Sequence, residues 1–425
     1  MTQKRKTNKL IRVKKKFQKN TNKRLKYNKN KTKKAKLYNK DRNPVKKISK
    51  EDAFNNFIDY VNISFLTTGA NSVTFVAELP DSYINKSPYT DYSYLAKAYG
   101  KHIKYLIIKV AFLFNPKDKK YLKTDSDKQI LDENKLNIRF DGLQNLALTN
   151  EKDFIHEIEI QKDVYLKTMD YLEPICPAIV YSKIEKKSEN IIDILNKFKT
   201  GAKNNDKAKQ LFNSFLEKRA DYDYIGIVGM EYAGKYKTLY SLLNSQTVTP
   251  SNKKLYKEMS MYLLLELADK AEYTHGNFYG GNILINTVVE GYFKGVIGKP
   301  LLIDFSYTKK IDRPLLTEIK KLYFDKKYVS ALQKICSVNR RDNIENPSYY
   351  DWICESTMNN KHSDSDKNAS LVHLLERRNQ TIQELTLNFN SEHISGPQLP
   401  LTEKDKKDIV KKVETPTSPT SSIIP

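Results

Sequence analysis

Short apolar stretches with a period of two mark the strands that the sequence predicts. The pattern is clearest at residues 73–79, where β-branched and aromatic residues alternate with smaller or polar ones, and a turn joins this stretch to residues 63–66. Alternation and β-branching are typical of half-buried strands. Three more apolar stretches predict further strands, at residues 105–112, 178–181 and 224–232.

A second pattern, with apolar residues three or four positions apart, predicts helices. The helices predicted in this way lie at 154–165, 183–220 (an inserted pair), 255–271 and, mostly helical, 312–390. One face of the first helix carries Phe154, Ile158, Gln161 and Tyr165.

Charge is concentrated at the start of the chain. The sequence carries 74 Lys and Arg against 50 Asp and Glu, a formal net charge of +24. Residues 1–50 hold 22 of the basic residues and one acid, so the rest of the chain is close to neutral. A block of like charge without hydrophobic period repels itself and buries little. We therefore predict a disordered polybasic tail, suited to binding nucleic acid or another polyanion.

Cysteine content and hydropathy bear on the cellular setting. Cys176, Cys336 and Cys354 lie far apart, which argues against a disulfide scaffold and for a reducing compartment. No apolar run approaches the ~20 residues of a membrane span, and no apolar segment of a secretory signal follows the basic start. We expect an intracellular protein without a transmembrane segment, and nuclear import by the basic tail stays open.

Two polar motifs close in sequence carry the candidate chemistry. His275, Asn277 and Asn282 stand in the spacing H-x-N-x-x-x-x-N, directly after the apolar helix at 255–271. Further on, an apolar run ends in an Asp-Phe-Ser tripeptide that begins with Asp304. Amide and carboxylate oxygens are hard ligands of the kind that Mg²⁺ combines with phosphates.

A lysine upstream of these motifs needs a partner. Lys109 lies inside the apolar stretch at 105–112, and an isolated buried charge costs several kcal/mol. Glu157 on the following helix is the candidate partner, and Glu159, on the other side of that helix, is its competitor. The alternative is a lysine at a strand edge whose head reaches water.

Together these motifs resemble the protein kinase family, whose catalytic loop reads H-x-D-x-x-x-x-N and whose metal-binding strand ends in D-F-G. The chain looks closest to the divergent kinases of large cytoplasmic DNA viruses, over residues 55–310 well and 311–390 loosely. The resemblance implies an α+β fold of two lobes. It also implies a location in the host cytoplasm, with virion association left open.

The implied domain organisation follows the kinase pattern. A β-rich N-lobe spans 51–233, a helical C-lobe spans 234–395, and a disordered polar tail occupies 396–425. Three insertions are expected to enlarge the N-lobe, near residues 80–104, 115–150 and 183–220.

The resemblance assigns roles to the candidate residues. Lys109 would hold the α- and β-phosphates of ATP, and Glu157 would position Lys109. Asn282 and Asp304 would bind Mg²⁺ or Mn²⁺, and His275 would buttress the catalytic loop beneath the metal-binding segment.

Two further segments complete the implied ATP site. Aligning Ala77 with the alanine of the glycine-rich motif leaves Thr67, Gly69 and Ser72 at the three glycine positions, so only the central glycine is kept. Small residues there let backbone N–H groups approach phosphate, although an ordinary hairpin turn is the competing interpretation. The second segment ends a buried strand and would offer backbone groups to the adenine edge; it contains Met230, Glu231 and Ala233.

The chain departs from the family pattern at four points. Asn277 replaces the catalytic Asp, Tyr279 stands where many Ser/Thr kinases have a Lys, Ser306 replaces the Gly of D-F-G, and no A-P-E segment follows. An Asn can accept a hydrogen bond from a substrate hydroxyl but cannot take its proton. A positioned general base typically contributes ~10²–10⁴-fold.

These departures leave several functions open. The first is an ATP-dependent protein kinase of the Ser/Thr type, slowed by Asn277, acting on an unidentified protein substrate. The second is a pseudokinase scaffold that binds nucleotide or partners without efficient transfer. The third is a small-molecule phosphotransferase, and the last is a nucleic-acid-binding protein that retains only the kinase shape.

Overall fold

The computed structural model describes residues 54–55, 57–79, 105–125, 127–168, 174–233, 236–286, 300–338, 368–369 and 371–372. All of them belong to one compact unit, Lys50–Pro425. The predicted tails at 1–50 and 396–425 lie outside the described residues, as do the insertion at 80–104 and the chain between 287 and 299.

The described chain is a mixed α+β structure, as the sequence predicts. Its strands are β1 (Asn62–Thr68), β2 (Ser72–Glu78), β3 (Tyr105–Phe114), β4 (Leu122–Asp125), β5 (Lys128–Leu131), β6 (Asn137–Ile138), β7 (Leu146–Ala147), β8 (Thr149–Asn150), β9 (Ile179–Glu185), β10 (Tyr224–Glu231), β11 (Tyr236–Thr238), β12 (Tyr273–Thr274), β13 (Ile283–Asn286), β14 (Pro300–Leu302) and β15 (Lys309–Lys310). Its seven α-helices in the described ranges are α1 (Glu151–Thr168), α2 (Ser188–Gly201), α3 (Asp206–Glu217), α4 (Leu239–Asn244), α5 (Pro250–Glu266), α6 (Arg313–Phe324) and α7 (Tyr328–Val338).

The largest sheet has the strand order β1-β2-β3-β10-β9, and β8 pairs with the end of β3. Neighbouring strands along this path are antiparallel. The five strands that the apolar stretches predict are all present, and β9 extends beyond the predicted 178–181.

One face of this sheet is covered by the inserted helices α2 and α3, which form the predicted helical pair. Three phenylalanines of these helices, Phe198, Phe212 and Phe215, are fully buried, and Phe75 of β2 stacks on Phe212 at 4.6 Å between ring centroids. Asn205 caps α3 by accepting a hydrogen bond from the Ala208 N–H. The insertion therefore completes a hydrophobic core.

The segment predicted as an insertion at 115–150 contributes apolar side chains to the core. Phe140 is fully buried and lies 4.6 Å from Phe112 between ring centroids. Widely spaced apolar residues in a polar stretch give no periodic signal, although each one joins the core through a tertiary contact. The other buried apolar side chains of this segment are Tyr121, Ile138, Leu146 and Leu148.

The opposite face of the sheet receives α1. Phe154 and Ile158 of α1 pack with Val228 of β10 and with two apolar residues of β3. Gly226 permits this close approach, because a Cβ at that position would lie 2.4 Å from the Phe154 ring. The predicted face of α1 is confirmed, since Phe154, Ile158, Gln161 and Tyr165 are all buried.

A second hydrophobic core is built mainly by helices. It contains one face of α5 together with buried residues of α6 and α7. Pro250 begins α5 and Thr249 caps it, and a π-helix at Leu267–Ala271 follows. The predicted helix at 255–271 is thus present and begins earlier. None of the helices in the described ranges has the length and apolar character of a membrane span.

Two of the three cysteines, Cys176 and Cys336, lie in the part of the chain that the structure describes. Cys176 is a buried free thiol. Cys336 of α7 is disulfide-bonded. One such bond does not make a disulfide scaffold, and the reducing compartment stays a prediction.

Candidate active site

Two antiparallel strand pairs bring the two sequence motifs together. The pair β12–β15 aligns Tyr273 with Lys310, and the pair β13–β14 aligns Ile283 with Leu302. The loop 275–282 connects β12 to β13, and the segment 303–308 connects β14 to β15. Since both ends of each connection are fixed by the same two pairs, the loop and the segment must lie side by side.

The predicted ion pair between Lys109 and Glu157 is present. The Lys109 Nζ lies 2.6 Å from Glu157 Oε1, and the two side chains are 19% and 14% exposed. Lys109 belongs to β3 and Glu157 to α1, so the docking of α1 on the sheet sets this distance. Glu157, rather than Glu159, is therefore the partner of Lys109.

Asp304 lies at the centre of the site, and its carboxylate accepts several hydrogen bonds. Ser306 Oγ donates to Asp304 Oδ1 at 2.6 Å, and the side-chain amide of Asn277 donates to Oδ2 at 3.1 Å. Asn282 approaches the same Oδ2 at 3.4 Å and donates to the Asn277 carbonyl oxygen at 3.0 Å. Asp304 has a φ of 65°, in the left-handed region, where Asp is better tolerated than most residues.

The charged groups of the site shift the pKa values of Lys109 and Asp304 so that both are ionised at neutral pH. Burial lowers the pKa of Lys109, but the carboxylates of Glu157 and Asp304 outweigh burial and raise this pKa above its ordinary value. Burial raises the pKa of Asp304, but Lys109 and the Ser306 hydrogen bonds outweigh it and hold this pKa below its ordinary value. At neutral pH the site therefore contains one ammonium between two carboxylates.

His275 is placed where the resemblance predicts. Its Nε2 lies 3.1 Å from the Ile303 carbonyl oxygen, directly before Asp304, and its ring contacts Phe305 at 5.4 Å between centroids. Burial lowers the pKa of His275 more than Asp304 raises it, so the imidazole is neutral at pH 7. His275 holds the loop 275–282 against the segment 303–308 and contributes no charge.

Gly276 makes the close approach of the two segments possible. Its φ is 73°, and a Cβ at this position would lie 2.2 Å from the Tyr307 carbonyl oxygen. We expect Gly276→Ala to destabilise the protein by about 2–4 kcal/mol, because backbone strain adds to a clash with a backbone atom. The measurement is urea unfolding followed by circular dichroism.

Gly142 is the matched control for this prediction. Its φ is 76°, but nothing lies within 4 Å of the Cβ that a substitution would add. Gly142→Ala should therefore cost only the backbone strain, about 1–2 kcal/mol. Equal losses of unfolding free energy in the two variants would show that the contact with Tyr307 has no energetic effect.

Asn277 has one polar atom without a partner among the described residues. The residue is 7% exposed, and its Oδ1 is buried without a hydrogen bond, while its Nδ2 donates to Asp304. A buried carbonyl oxygen without a donor costs about 1–3 kcal/mol. Such an atom is suited to accept a hydrogen bond from a hydroxyl that enters the site.

The prediction for Ala77 was wrong. Ala77 pairs with Leu106 and is fully buried in the core beneath α2 and α3. Lys109 pairs with Thr74, three residues before Ala77, so Ala77 and Lys109 point to opposite faces of the sheet. Ala77 cannot contact a ligand of Lys109.

The strand register adds Ile107 and Val76, which the sequence analysis missed, to the Lys109 face, where the predicted Met230 also lies. Ile107 lies two residues before Lys109 and pairs with Val76 on one side and Met230 on the other. These three residues form an apolar strip beside the ammonium of Lys109. Counting back by two from Lys109 could have identified Ile107. It could not have identified Val76, which lies opposite Ile107 on the neighbouring strand.

The turn with the three candidate glycine positions lies toward the Lys109 end of β2. Ser72 pairs with Ala111, two residues after Lys109, and Gly69 closes the turn by donating its N–H to the Ser72 carbonyl oxygen at 2.9 Å. Thr67 is the β1 residue paired with Thr74. The turn is also held from outside, because Ala147 donates to a carbonyl oxygen at its tip.

Some polar groups in the segment at the end of β10 form hydrogen bonds within the protein. The N–H of Glu231 donates to the Ala178 carbonyl oxygen at 2.9 Å, and its carboxylate accepts from the Ala178 N–H at 3.3 Å. The Ala233 carbonyl oxygen accepts from the Tyr236 N–H at 3.0 Å. Of the backbone groups predicted for adenine, the Glu231 N–H and the Ala233 carbonyl oxygen are therefore engaged.

The donor set fits a hard divalent cation. Asn282 and Asp304 provide oxygens within one hydrogen-bonded cluster, and Mg²⁺ is usually held by few protein oxygens together with phosphates. In the described ranges no group of three or more His, Cys, Asp or Glu side chains is arranged to hold a metal ion.

Comparison with known proteins does not place the chain in a family. No protein-family model matches it, and no curated protein sequence is similar enough to match.

Proposed function

We propose that the protein is an ATP-dependent kinase of two lobes that transfers a phosphoryl group from Mg-ATP to a protein Ser or Thr hydroxyl, slowly because of Asn277. The proposal rests on one observation: Lys109, Glu157, Asp304, Asn277 and Asn282 meet in one site although up to 195 residues separate them. Phosphoryl transfer needs positioned phosphates, a positioned nucleophile and charge stabilisation, and these residues offer all three.

Each residue has a role in this proposal. Lys109 binds the α- and β-phosphates while Glu157 fixes its position. The strip of Val76, Ile107 and Met230 contacts the adenine ring. Asn282 and Asp304 hold Mg²⁺ or Mn²⁺, which would neutralise phosphate charge when bound.

Asn277 positions the acceptor hydroxyl in this proposal. Its buried Oδ1 accepts the hydrogen bond of the substrate hydroxyl, which orients the nucleophile without removing its proton. Since the transition state of phosphoryl transfer is loose, orientation and charge neutralisation supply much of the rate. The absent base leaves a rate about 10²–10⁴-fold below that of a site with a carboxylate in this place.

A second candidate function is nucleotide binding without efficient transfer. The observation that favours it is the Asn277 amide donating to Asp304 at 3.1 Å, because this bond occupies a carboxylate oxygen that a metal would otherwise use. In that case the protein acts as a scaffold whose shape responds to nucleotide. Transfer to a small-molecule acceptor is a third candidate function. It is permitted because Tyr279 stands where many Ser/Thr kinases have a Lys.

The experiment is transfer of radiolabelled phosphate from ATP to protein and small-molecule acceptors, with wild type compared with Asp304→Asn. We expect slow transfer by wild type and none by the variant. Binding of Mg-ATP without transfer by either protein would select the scaffold function. Absence of Mg-ATP binding by wild type would contradict the proposal.

The basic segment 1–50 is proposed to bind polyanions independently of this site. Its 22 cations can displace counterions from a nucleic-acid backbone, so its affinity should fall steeply with salt. Comparing full-length protein with residues 51–425 on DNA, RNA and anionic vesicles across a salt series tests this. Equal binding by the two proteins would contradict it.

A further inference from the structure

A histidine outside the proposed ATP site reaches the segment that carries Asp304. His156 directly precedes Glu157 on α1, and its Nε2 lies 3.1 Å from the Thr308 carbonyl oxygen. Because a carbonyl oxygen only accepts, Nε2 carries the proton of this bond. Consecutive helix residues point about 100° apart. Helix α1 is therefore attached to β3 through Glu157 and to the segment 303–308 through His156.

The Thr308 carbonyl is a fixed anchor for this bond. Thr308 is fully buried, its N–H donates to the Phe305 carbonyl oxygen at 3.1 Å, and its Oγ1 donates to the His275 carbonyl oxygen at 3.1 Å. His275 is in turn bonded to the carbonyl oxygen of Ile303, the residue before Asp304. Movement of α1 away from Thr308 thus strains the bonds that place Asp304.

We propose that His156 is a positioning residue that couples the Lys109–Glu157 pair to Asp304. Its bond keeps α1 at the distance at which Glu157 reaches Lys109 while Asp304 faces the same ammonium. The consequence for ligand affinity rests on the proposed ATP site, whereas the coupling is a property of the free protein.

The expected loss of nucleotide affinity follows from the fraction of molecules that keep the binding arrangement. If loss of the bond lets α1 move away, only a fraction of the molecules holds all three charged groups together. The apparent nucleotide affinity then falls by that fraction. A single hydrogen bond of ordinary strength corresponds to a change of about three- to tenfold.

Lys162 provides a matched control. It is another polar residue of α1, and its Nζ donates to Ser182 Oγ on β9 at 2.9 Å. Lys162→Ala therefore removes a bond that attaches α1 to the sheet but not to the Asp304 segment. His156→Gln is the conservative variant, because its amide can donate to the same carbonyl oxygen.

The first measurement is amide hydrogen exchange of the peptide 303–308 in the nucleotide-free protein. We expect His156→Ala to exchange about three- to tenfold faster than wild type, Lys162→Ala to match wild type, and His156→Gln to return toward it. Equal exchange in wild type and His156→Ala, or equal acceleration by Lys162→Ala, would overturn the proposal. This readout does not depend on nucleotide binding, so it decides the coupling even if the proposed function fails.

The second measurement is a double-mutant cycle on Mg-ATP affinity with His156→Ala and Glu157→Gln. If His156 acts through Glu157, His156→Ala weakens binding in the wild-type background but has no further effect beside Glu157→Gln. Additive losses would mean that His156 stabilises the fold without positioning the pair, and would overturn the proposal.

Discussion

Asn277→Asp should raise phosphoryl transfer by up to about 10²–10⁴-fold in the presence of Mg²⁺ and lower the stability of the metal-free protein. The gain follows because a carboxylate at this position can take the proton of the acceptor hydroxyl, which an amide cannot do. The loss follows because Asn277 Nδ2 now donates to Asp304 Oδ2 at 3.1 Å, and the variant would place two carboxylates at that distance. Like charges so close cannot both ionise without cost.

The measurements are steady-state transfer of labelled phosphate and thermal unfolding with and without Mg²⁺. The variant should unfold at a lower temperature than wild type in chelator and gain more stability than wild type when Mg²⁺ is added, because a bound cation would offset the repulsion between the two carboxylates.

Asn282→Asp is the matched control for Asn277→Asp. It adds the same charge near the same Asp304 oxygen, since Asn282 Nδ2 lies 3.4 Å from Oδ2, but not at the catalytic Asp position. We expect the control to show the metal-dependent stability without the gain in transfer. Equal and robust transfer by wild type and Asn277→Asp would mean that Asn277 does not occupy the position of the base.

Lys109→Met should destabilise the protein by about 2–4 kcal/mol at neutral pH, and this loss should shrink in acid. Removing one partner of a buried ion pair leaves an uncompensated charge, and here two carboxylates lose their cation. The side chains of Lys109 and Glu157 are 19% and 14% exposed, so we place the cost below that of a fully buried pair. Glu157→Gln should cost less, because Lys109 then keeps Asp304.

The pH dependence of this loss follows from Asp304. In wild type the pKa of Asp304 is lowered, so this group stabilises the fold at neutral pH and stops doing so as the pH falls through its folded pKa. In the variant the largest cause that lowers the pKa of Asp304 is gone, so we expect burial to raise this pKa and Asp304 to oppose folding at neutral pH until it takes up a proton. The difference between the proteins should therefore be largest near pH 7 and narrow toward about pH 4.

The measurement is urea unfolding of both proteins at several pH values, and Lys120→Met is the control. Lys120 forms an ion pair of similar length with Asp223, 2.7 Å, but its own side chain is 41% exposed. Exposed pairs contribute about 0–1 kcal/mol, so this control should lose little. A loss in Lys109→Met no larger than in the control would contradict the buried pair.

The local pattern of the sequence was sufficient to predict most helices and strands, and to predict the ion pair between Lys109 and Glu157. Continuous apolar stretches predicted the strands that carry Lys109 and Met230, and apolar residues three or four positions apart predicted the helix with Glu157. These patterns show which side of a strand or helix is buried. That side can be identified from residues close together in the sequence. The resemblance to the protein kinase family implied that His275, Asn282 and Asp304 lie close together.

Other features depended on contacts between distant parts of the chain. The β2–β3 register turns Ala77 away from Lys109, and one residue of slip would have reversed this. The apolar residues of 115–150 carry no period and enter the core only through tertiary contacts.

The sequence by itself determined most of the elements, the candidate residues and the presence of an amide rather than a carboxylate at position 277. Only the tertiary structure decided that the amide of Asn277 donates to Asp304 and that His156 reaches Thr308, 152 residues away. The physical reason is that periodicity records burial along one element, whereas a hydrogen bond between two elements depends on how they pack against each other. Such bonds leave no pattern in the sequence.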